Sequence, residues 1–130
     1  MIDSKPKVVI IGSFSDHQAI LAEIERLSKI YDVIMPSKEW FERINKLMGT
    51  CSGKLEDERV LALKRIHMDV YFNAIKQANL IHVYNVKNGK EYYGINTLLE
   101  IGYALACGKL LSSKIKPTES EFRHLITIQM

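Results

Sequence analysis

The run Lys7-Val8-Val9-Ile10-Ile11, closed by Gly12, most constrains what this chain can fold into. Consecutive β-branched residues without polar alternation predict a strand buried on both faces, and such strands sit inside parallel sheets roofed by helices on each side. From about Asp16 to Ile30, Ile20, Leu21, Ile24 and Leu27 share one stripe while Glu23, Glu25, Arg26 and Lys29 face out, which predicts an amphipathic helix capped by Ser15 or Asp16. Tyr31 to Met35 then forms a second short strand ended by Pro36, and strand–helix–strand in this order is a right-handed parallel unit.

The pattern repeats downstream. SKEWFERINKLM carries a cap and helical spacing, and TCSGK reads as a loop. Leu55 to Ala78 is a long helix with Leu63, Ile66, Val70, Ala74, Ile75 and Ala78 on its stripe, and Leu80 to Tyr84 is another buried strand. The polar loop NVKNGKEYYG leads to a helix from about Thr97 to Cys107, with Gly108 placed for a left-handed C-cap. Lys109 to Ser113 is the last strand and Glu119 to Ile126 a final short helix. This alternation predicts one α/β domain over residues 1–130, a flavodoxin-like doubly wound parallel sheet of about four or five strands in three α/β/α layers.

Composition excludes more than it names. Charged residues make up 25% of the chain, and Lys plus Arg exceed Asp plus Glu by only +3, so no polybasic surface for a nucleic-acid polymer or an anionic membrane is expected. No apolar stretch approaches the roughly 18 residues of a bilayer span, and no leader-like run precedes Lys7, so a cytoplasmic protein is expected. Cys51 and Cys107 lack CxxC spacing and read as buried or idle thiols; no metal site and no cofactor are expected.

In a doubly wound sheet the ligand crevice lies outside the carboxyl ends of the strands, which directs attention to Gly12-Ser13-Phe14-Ser15, to the loop from Asn85, and to the helix start near Thr97. A helix N-terminus after Gly12 favours an anion, although a turn glycine and a capping serine explain the same residues. Glu100 is the sole carboxylate of the run NTLLEIGYALACGK. Spacing leaves two readings for it: the end of a Thr97-x-x-Glu100 capping box, or a carboxylate in a buried helix at the ligand-bearing edge. Asp69 lies next to the apolar stripe and reads either as a solvated residue paired with Arg65 or as a second functional carboxylate. His67 and His82 have no metal-ligand spacing and are assigned to structure. Trp40-Phe41 and Tyr92-Tyr93 read as packing residues that could also stack on a planar base.

Taken together, KVVIIGSFS, the helix bearing Asp69, the strand after QANLIHVYN and above all YYGINTLLEIGYALACGK resemble the nucleoside 2-deoxyribosyltransferase-like family, which includes 2'-deoxynucleoside 5'-phosphate N-hydrolases. The resemblance covers nearly the whole chain. It implies an enzyme that cleaves or transfers the N-glycosidic bond of a nucleoside or nucleoside 5'-monophosphate, without a cofactor. Glu100 would be the nucleophile or the carboxylate stabilising positive charge at C1', and Asp69 would orient it or contact the sugar. Gly12, Ser13, Phe14, Asn85, Gly94, Asn96 and Thr97 would shape the substrate site. Asn79 stands where the family commonly has an aspartate, and no arginine follows Ser13 closely. Gly102, Ala104 and Ala106 allow close helix packing, and the family is commonly oligomeric, so a homodimer or higher homo-oligomer is expected. The alternative is a nucleotide-binding module of the same fold without turnover; cleavage of a nicotinamide dinucleotide has no dinucleotide fingerprint to support it.

Overall fold

A computed structural model of the chain describes residues 5–49, 58–118, 120–126 and 128–129. Its elements are β1 (Lys7–Gly12), α1 (His17–Ser28), β2 (Asp32–Met35), α2 (Lys38–Gly49), α3 (Glu58–Gln77), β3 (Leu80–Tyr84), β4 (Val86–Lys87), β5 (Lys90–Glu91), α4 (Ile95–Ala106), β6 (Leu110–Ser113), α5 (Ser120–Arg123) and β7 (Ile128–Gln129). The main sheet has the order β2-β1-β3-β6-β7, and every pairing in it is parallel. This is the doubly wound, flavodoxin-like order, with the chain reversing direction across the sheet between β1 and β3.

Val8, Val9, Ile10 and Ile11 are all fully buried, as an uninterrupted β-branched run requires. Val9 and Ile11 face Tyr71, Ile75 and Ala104 from α3 and α4, whereas Ile10 faces Ile20, Ile24, Leu27 and Phe41 from α1 and α2. Asp16 caps α1 by accepting from the Ala19 amide at 3.1 Å, and Ser37 caps α2 by accepting from the Trp40 amide at 3.1 Å. Helix α4 closes in a Schellman motif: Gly108 at φ 70 lets the amides of Gly108 and Lys109 reach the carbonyls of Leu105 and Ala104, each at 3.0 Å. Asn79 accepts from the Lys7 amide at 2.8 Å and so ties the entry of β3 to that of β1.

The structure departs from the sequence reading at identifiable places. The loop after β3 contains an antiparallel hairpin, β4 paired with β5, whose turn residues Asn88 (φ 53) and Gly89 (φ 73) both have positive φ. The Asn-Gly dipeptide is the ordinary signal for that turn. β6 is not the last strand, because β7 adds to it. Residues 50–57, which hold Cys51 and the start expected for the long helix at Leu55, lie outside the described residues. Cys107 is exposed rather than buried, since it is the C-cap of α4. Ile66 is 57% exposed and falls outside the inner stripe, whereas Ala74 and Ile75 of α3 and Ala78 just beyond it are buried as expected and Tyr71 joins them. Helix α4 is not enclosed either: its outer side, including Ile95 and Leu99, is open.

Glu23, expected to face solvent, is only 3% exposed. It is drawn inward by charge. His82 Nε2 lies 2.8 Å from one carboxylate oxygen, Arg26 binds both oxygens at 2.9 Å, and Lys114 Nζ approaches at 3.3 Å. Burial alone would raise the Glu23 carboxyl, but the hydrogen bonds from His82 and Arg26 and the charges of His82 and Lys114 outweigh it and hold it far below 4.5. With Glu23 ionised, the network assigns the His82 proton to Nε2, leaving Nδ1 to accept from Ser112 Oγ at 2.8 Å. Burial holds the His82 pKa below 6.5 despite that partner. Fully buried and satisfied at both nitrogens, His82 is a structural histidine, as its place in a core strand predicts.

Two outcomes test this account. At Gly12, with φ 142, an added Cβ would stand 2.3 Å from the Tyr84 carbonyl oxygen, so Gly12→Ala should lower stability by about 3 kcal/mol in urea unfolding; an unchanged midpoint contradicts the close approach. Lowered pKa values mean that the folded state takes up protons later than the unfolded state. Stability should therefore fall as pH drops below His82's ordinary 6.5 and fall further below Glu23's ordinary 4.5. Equal stability at neutral pH and in mild acid would rule this out.

Candidate active site

Helix α4 begins where the chain returns from the β4–β5 hairpin to the carboxyl edge of the sheet. Gly94 is its N-cap, in extended conformation and without a side-chain cap bond, and Ile95 is the first helical residue. Thr97 is therefore the third residue of the helix and Glu100 the sixth, three residues too deep for a capping box, which needs the threonine at the cap itself and the glutamate at the third helical residue. The capping reading of Glu100 fails on geometry.

Thr97, Glu100, Ile101 and Ala104 form the buried face of α4. Glu100 is 6% exposed, and burial pushes its carboxyl up to about 8. Among the described residues no hydrogen bond or ion pair offsets that burial. The contrast with Glu23 is complete: one buried glutamate is surrounded by cations, the other has none. A buried carboxyl without partners is costly to ionise, and such groups cluster at functional sites.

The residue that α3 sends toward Glu100 is Tyr71. It is 1% exposed, its hydroxyl has no hydrogen-bond partner among the described residues, and burial followed by the Glu100 charge raises its pKa well above 10. Asp69 is a correction to the expected pair of carboxylates. Two residues before Tyr71 it lies about 200° round the helix, and its side chain is 62% exposed and 3.4 Å from that of Arg65. The solvated reading of Asp69 holds, and α3 does not bury it beside Glu100.

Above Tyr71 lies an aromatic cleft of about 190 Å³, bordered by Phe14, Trp40, Phe41, Asn45, His67 and Asn96. His67 stacks on Tyr71 at 4.8 Å with the rings 7° apart, Trp40 meets His67 at 5.0 Å, and Phe14 meets Phe41 edge-on at 5.6 Å. Burial and then the Lys64 charge lower the His67 pKa, so its imidazole is neutral near pH 7. Asn96 joins this cleft to Glu100, because residues four apart on a helix share a face. The volume suits one planar heterocycle, for which ring walls and a few amide groups are the usual lining.

The other expected site residues divide. Phe14 enters the cleft, while the next residue, Ser15, borders a separate polar crevice of about 510 Å³ with Asp16, His17, Tyr84 and Lys87 at the β1–β3 switch point. Ser13 Oγ pairs with Ser15 Oγ at 3.2 Å. Gly12 serves close packing against β3, and Gly94 serves the helix start. Thr97 is buried on the Glu100 face. Asn85 is fully buried and its amide is occupied: it donates to Tyr93 Oη and the Ile115 carbonyl and accepts from the Ile115 amide. It holds the loop after β6 and offers no free group to a ligand. Tyr93 stacks on Phe122 at 4.5 Å and Tyr92 lies under Lys87 at 4.7 Å. The sequence reading assigns His67 to structure and does not single out Tyr71, although polar aromatics four apart on one helix face are a visible signal for a shared cleft.

No family model matches the chain, and no curated protein sequence matches it. Among solved structures, the CMP N-glycosidase BcmB of Clostridium botulinum is similar over 95% of this chain and 82% of its own, at 16% identity and a TM-score of 0.47.

The Glu100 environment predicts a stability signature of opposite sign to that of Glu23. A carboxyl raised to about 8 stays protonated in the folded chain while the unfolded chain ionises near 4.5, so its contribution declines as pH rises from 4.5 and levels off above 8. Glu100→Gln should remove that decline and stabilise the protein at pH 8 by on the order of 2 kcal/mol relative to wild type. Destabilisation by the same substitution would mean that the carboxylate has a partner.

Proposed function

We propose that this chain cleaves, or transfers, the N-glycosidic bond of a nucleoside or nucleoside 5'-monophosphate, with Glu100 attacking or electrostatically stabilising C1'. The observation that carries this reading is the buried, unpartnered carboxylate of Glu100 one helical turn from an aromatic cleft sized for a heterocyclic base. Breaking the bond to the base gives C1' oxocarbenium character, and a carboxylate held in a low-dielectric site is well suited to stabilise it. In the covalent version the C1'–N bond breaks as a carboxylate oxygen bonds to C1', and the base departs with the electron pair and acquires a proton. Water then hydrolyses the glycosyl ester in a hydrolase, whereas a second base takes its place in a transferase.

The cleft supplies groups for the base. Asn96 and Asn45 offer amides, His67 an N–H, and Phe14 and Trp40 ring faces. Tyr71 serves as a positioning residue: its hydroxyl has no partner among the described residues and feels the Glu100 charge, so a newly ionised Glu100 can recruit it as a donor. Asp69 has no role in this scheme.

Purified protein incubated with nucleosides and their 5'-monophosphates, with and without an acceptor base, should release or exchange the base, and Glu100→Gln should lower the rate at least about 10³-fold. If Glu100 acts ionised, the rate should rise with pH toward a plateau above about 8, with about one-tenth of the sites ionised at pH 7. A rate that falls through that range would make Glu100 an acid instead. Tyr71→Phe should shift the rising limb to higher pH, while Asp69→Asn should leave the rate within about threefold of wild type. Saturable nucleotide binding without base release under any condition would favour a binding module and overturn the enzyme reading.

A further inference from the structure

Three residues of helix α3 follow one another along the aromatic cleft in a fixed order. Tyr71 feels the Glu100 charge, His67 stacks on Tyr71, and Lys64 borders the cleft beyond His67, close enough for its ammonium to act on the imidazole. Seven residues make close to two full turns, so Lys64 and Tyr71 lie on one line of the helix, about 10 Å apart along its axis. Lys64 is half-buried, and among the described residues its ammonium has no carboxylate partner, whereas Arg26, Arg65 and Lys114 each have one. Among the described residues that border the cleft none is acidic. We propose that Lys64 is a specificity-determining residue of the base site: it selects a nucleobase with a carbonyl on the edge remote from the sugar, as in hypoxanthine, guanine and uracil, by donating to that oxygen.

This assignment rests on the function proposed above, in which the aromatic cleft takes the base. With C1' at Glu100 and the ring against the aromatic walls, the glycosidic end of the base lies toward Tyr71 and its far edge toward Lys64. A lysine ammonium has three donors and no acceptor. Hypoxanthine and guanine offer it O6 beside N7, and uracil offers O4, whereas adenine and cytosine turn an amino group, itself a donor, to the same place. A donor set against a donor in a dry cleft leaves both unpaired, which is how a site rejects a near-isostere. Asn45, on the same cleft, complements the choice: its amide N–H is held by the Phe41 carbonyl at 2.8 Å, which leaves its oxygen for the ring N–H that adjoins the carbonyl in these bases. The cation also acts during the reaction. When the C1'–N bond breaks, the base keeps the electron pair, and part of that charge reaches the carbonyl oxygen, where the ammonium stabilises it until the base takes up a proton from water. A 5'-phosphate, carried by the sugar, belongs to the Glu100 end of the line.

Fluorescence of Trp40, the sole tryptophan of the chain and a wall of the cleft, reads base binding without turnover. Wild type should bind hypoxanthine at least about tenfold more tightly than adenine, and uracil more tightly than cytosine. Lys64→Met should bring each pair to within about threefold with an unchanged far-ultraviolet spectrum, and Lys64→Arg should retain the preference. The ratio of kcat/KM for inosine over adenosine should follow the same pattern. Equal binding within each pair by wild type, or a preference for the amino bases, overturns the proposal. So does a preference that survives Lys64→Met, and so does a Lys64→Met defect confined to nucleoside 5'-monophosphates, which would give the ammonium to the phosphate. A Lys64-dependent preference in binding without base release supports this site and overturns the glycosidase, whereas base release without that preference overturns the Lys64 assignment alone.

Discussion

Burial of β1 on both faces is the constraint from which the rest of the architecture follows. Side chains that alternate between two apolar layers must be roofed twice, and Ile10 and Ile11 point into different cores built from different helices. Parallel neighbours on each side then require crossovers, and the crossovers are the helices that supply the two roofs. Gly12 is where this order meets its limit. The end of β1 runs so close to Tyr84 of β3 that no side chain fits, and beyond that point the two strands part into the loops that hold Phe14 and Ser15.

Two buried glutamates show how one fold sets opposite electrostatics on its two sides. Glu23, under α1, is held ionised by Arg26, His82 and Lys114, and the cluster locks α1 onto β3 and β6 through residues that are sheet neighbours. Its cost of desolvation is offset by charge-assisted hydrogen bonds. Glu100, under α4, has no such compensation and keeps its proton to about 8. A stable fold retains an uncompensated carboxyl of this kind only against a cost, and that cost, beside an aromatic cleft one turn away, is what the proposed role of Glu100 rests on.

Much of the fold was legible because burial patterns are local. KVVII, LIHVY, the helix from Asp16 and the Gly108 stop each carry their period or their cap within a few residues. What escaped was non-local. Glu23 looked exposed because its partners His82 and Lys114 are 59 and 91 residues away. The residue pattern leaves Asp69 solvated and only the family resemblance sets it beside Glu100, whereas the helical rotation that faces Glu100 belongs to Tyr71, whose unpaired hydroxyl no local pattern reveals.

By itself the sequence determined the strand–helix alternation, the parallel sheet it demands, and the position of Glu100 on a helix at the ligand-bearing edge, because hydrophobic period and turn chemistry are written residue by residue. Tertiary structure alone decided which carboxylates are buried, which of them are paired, and which aromatic rings meet. Those properties depend on the distance between side chains remote in the chain and on the water removed between them, and both exist only once the layers have packed.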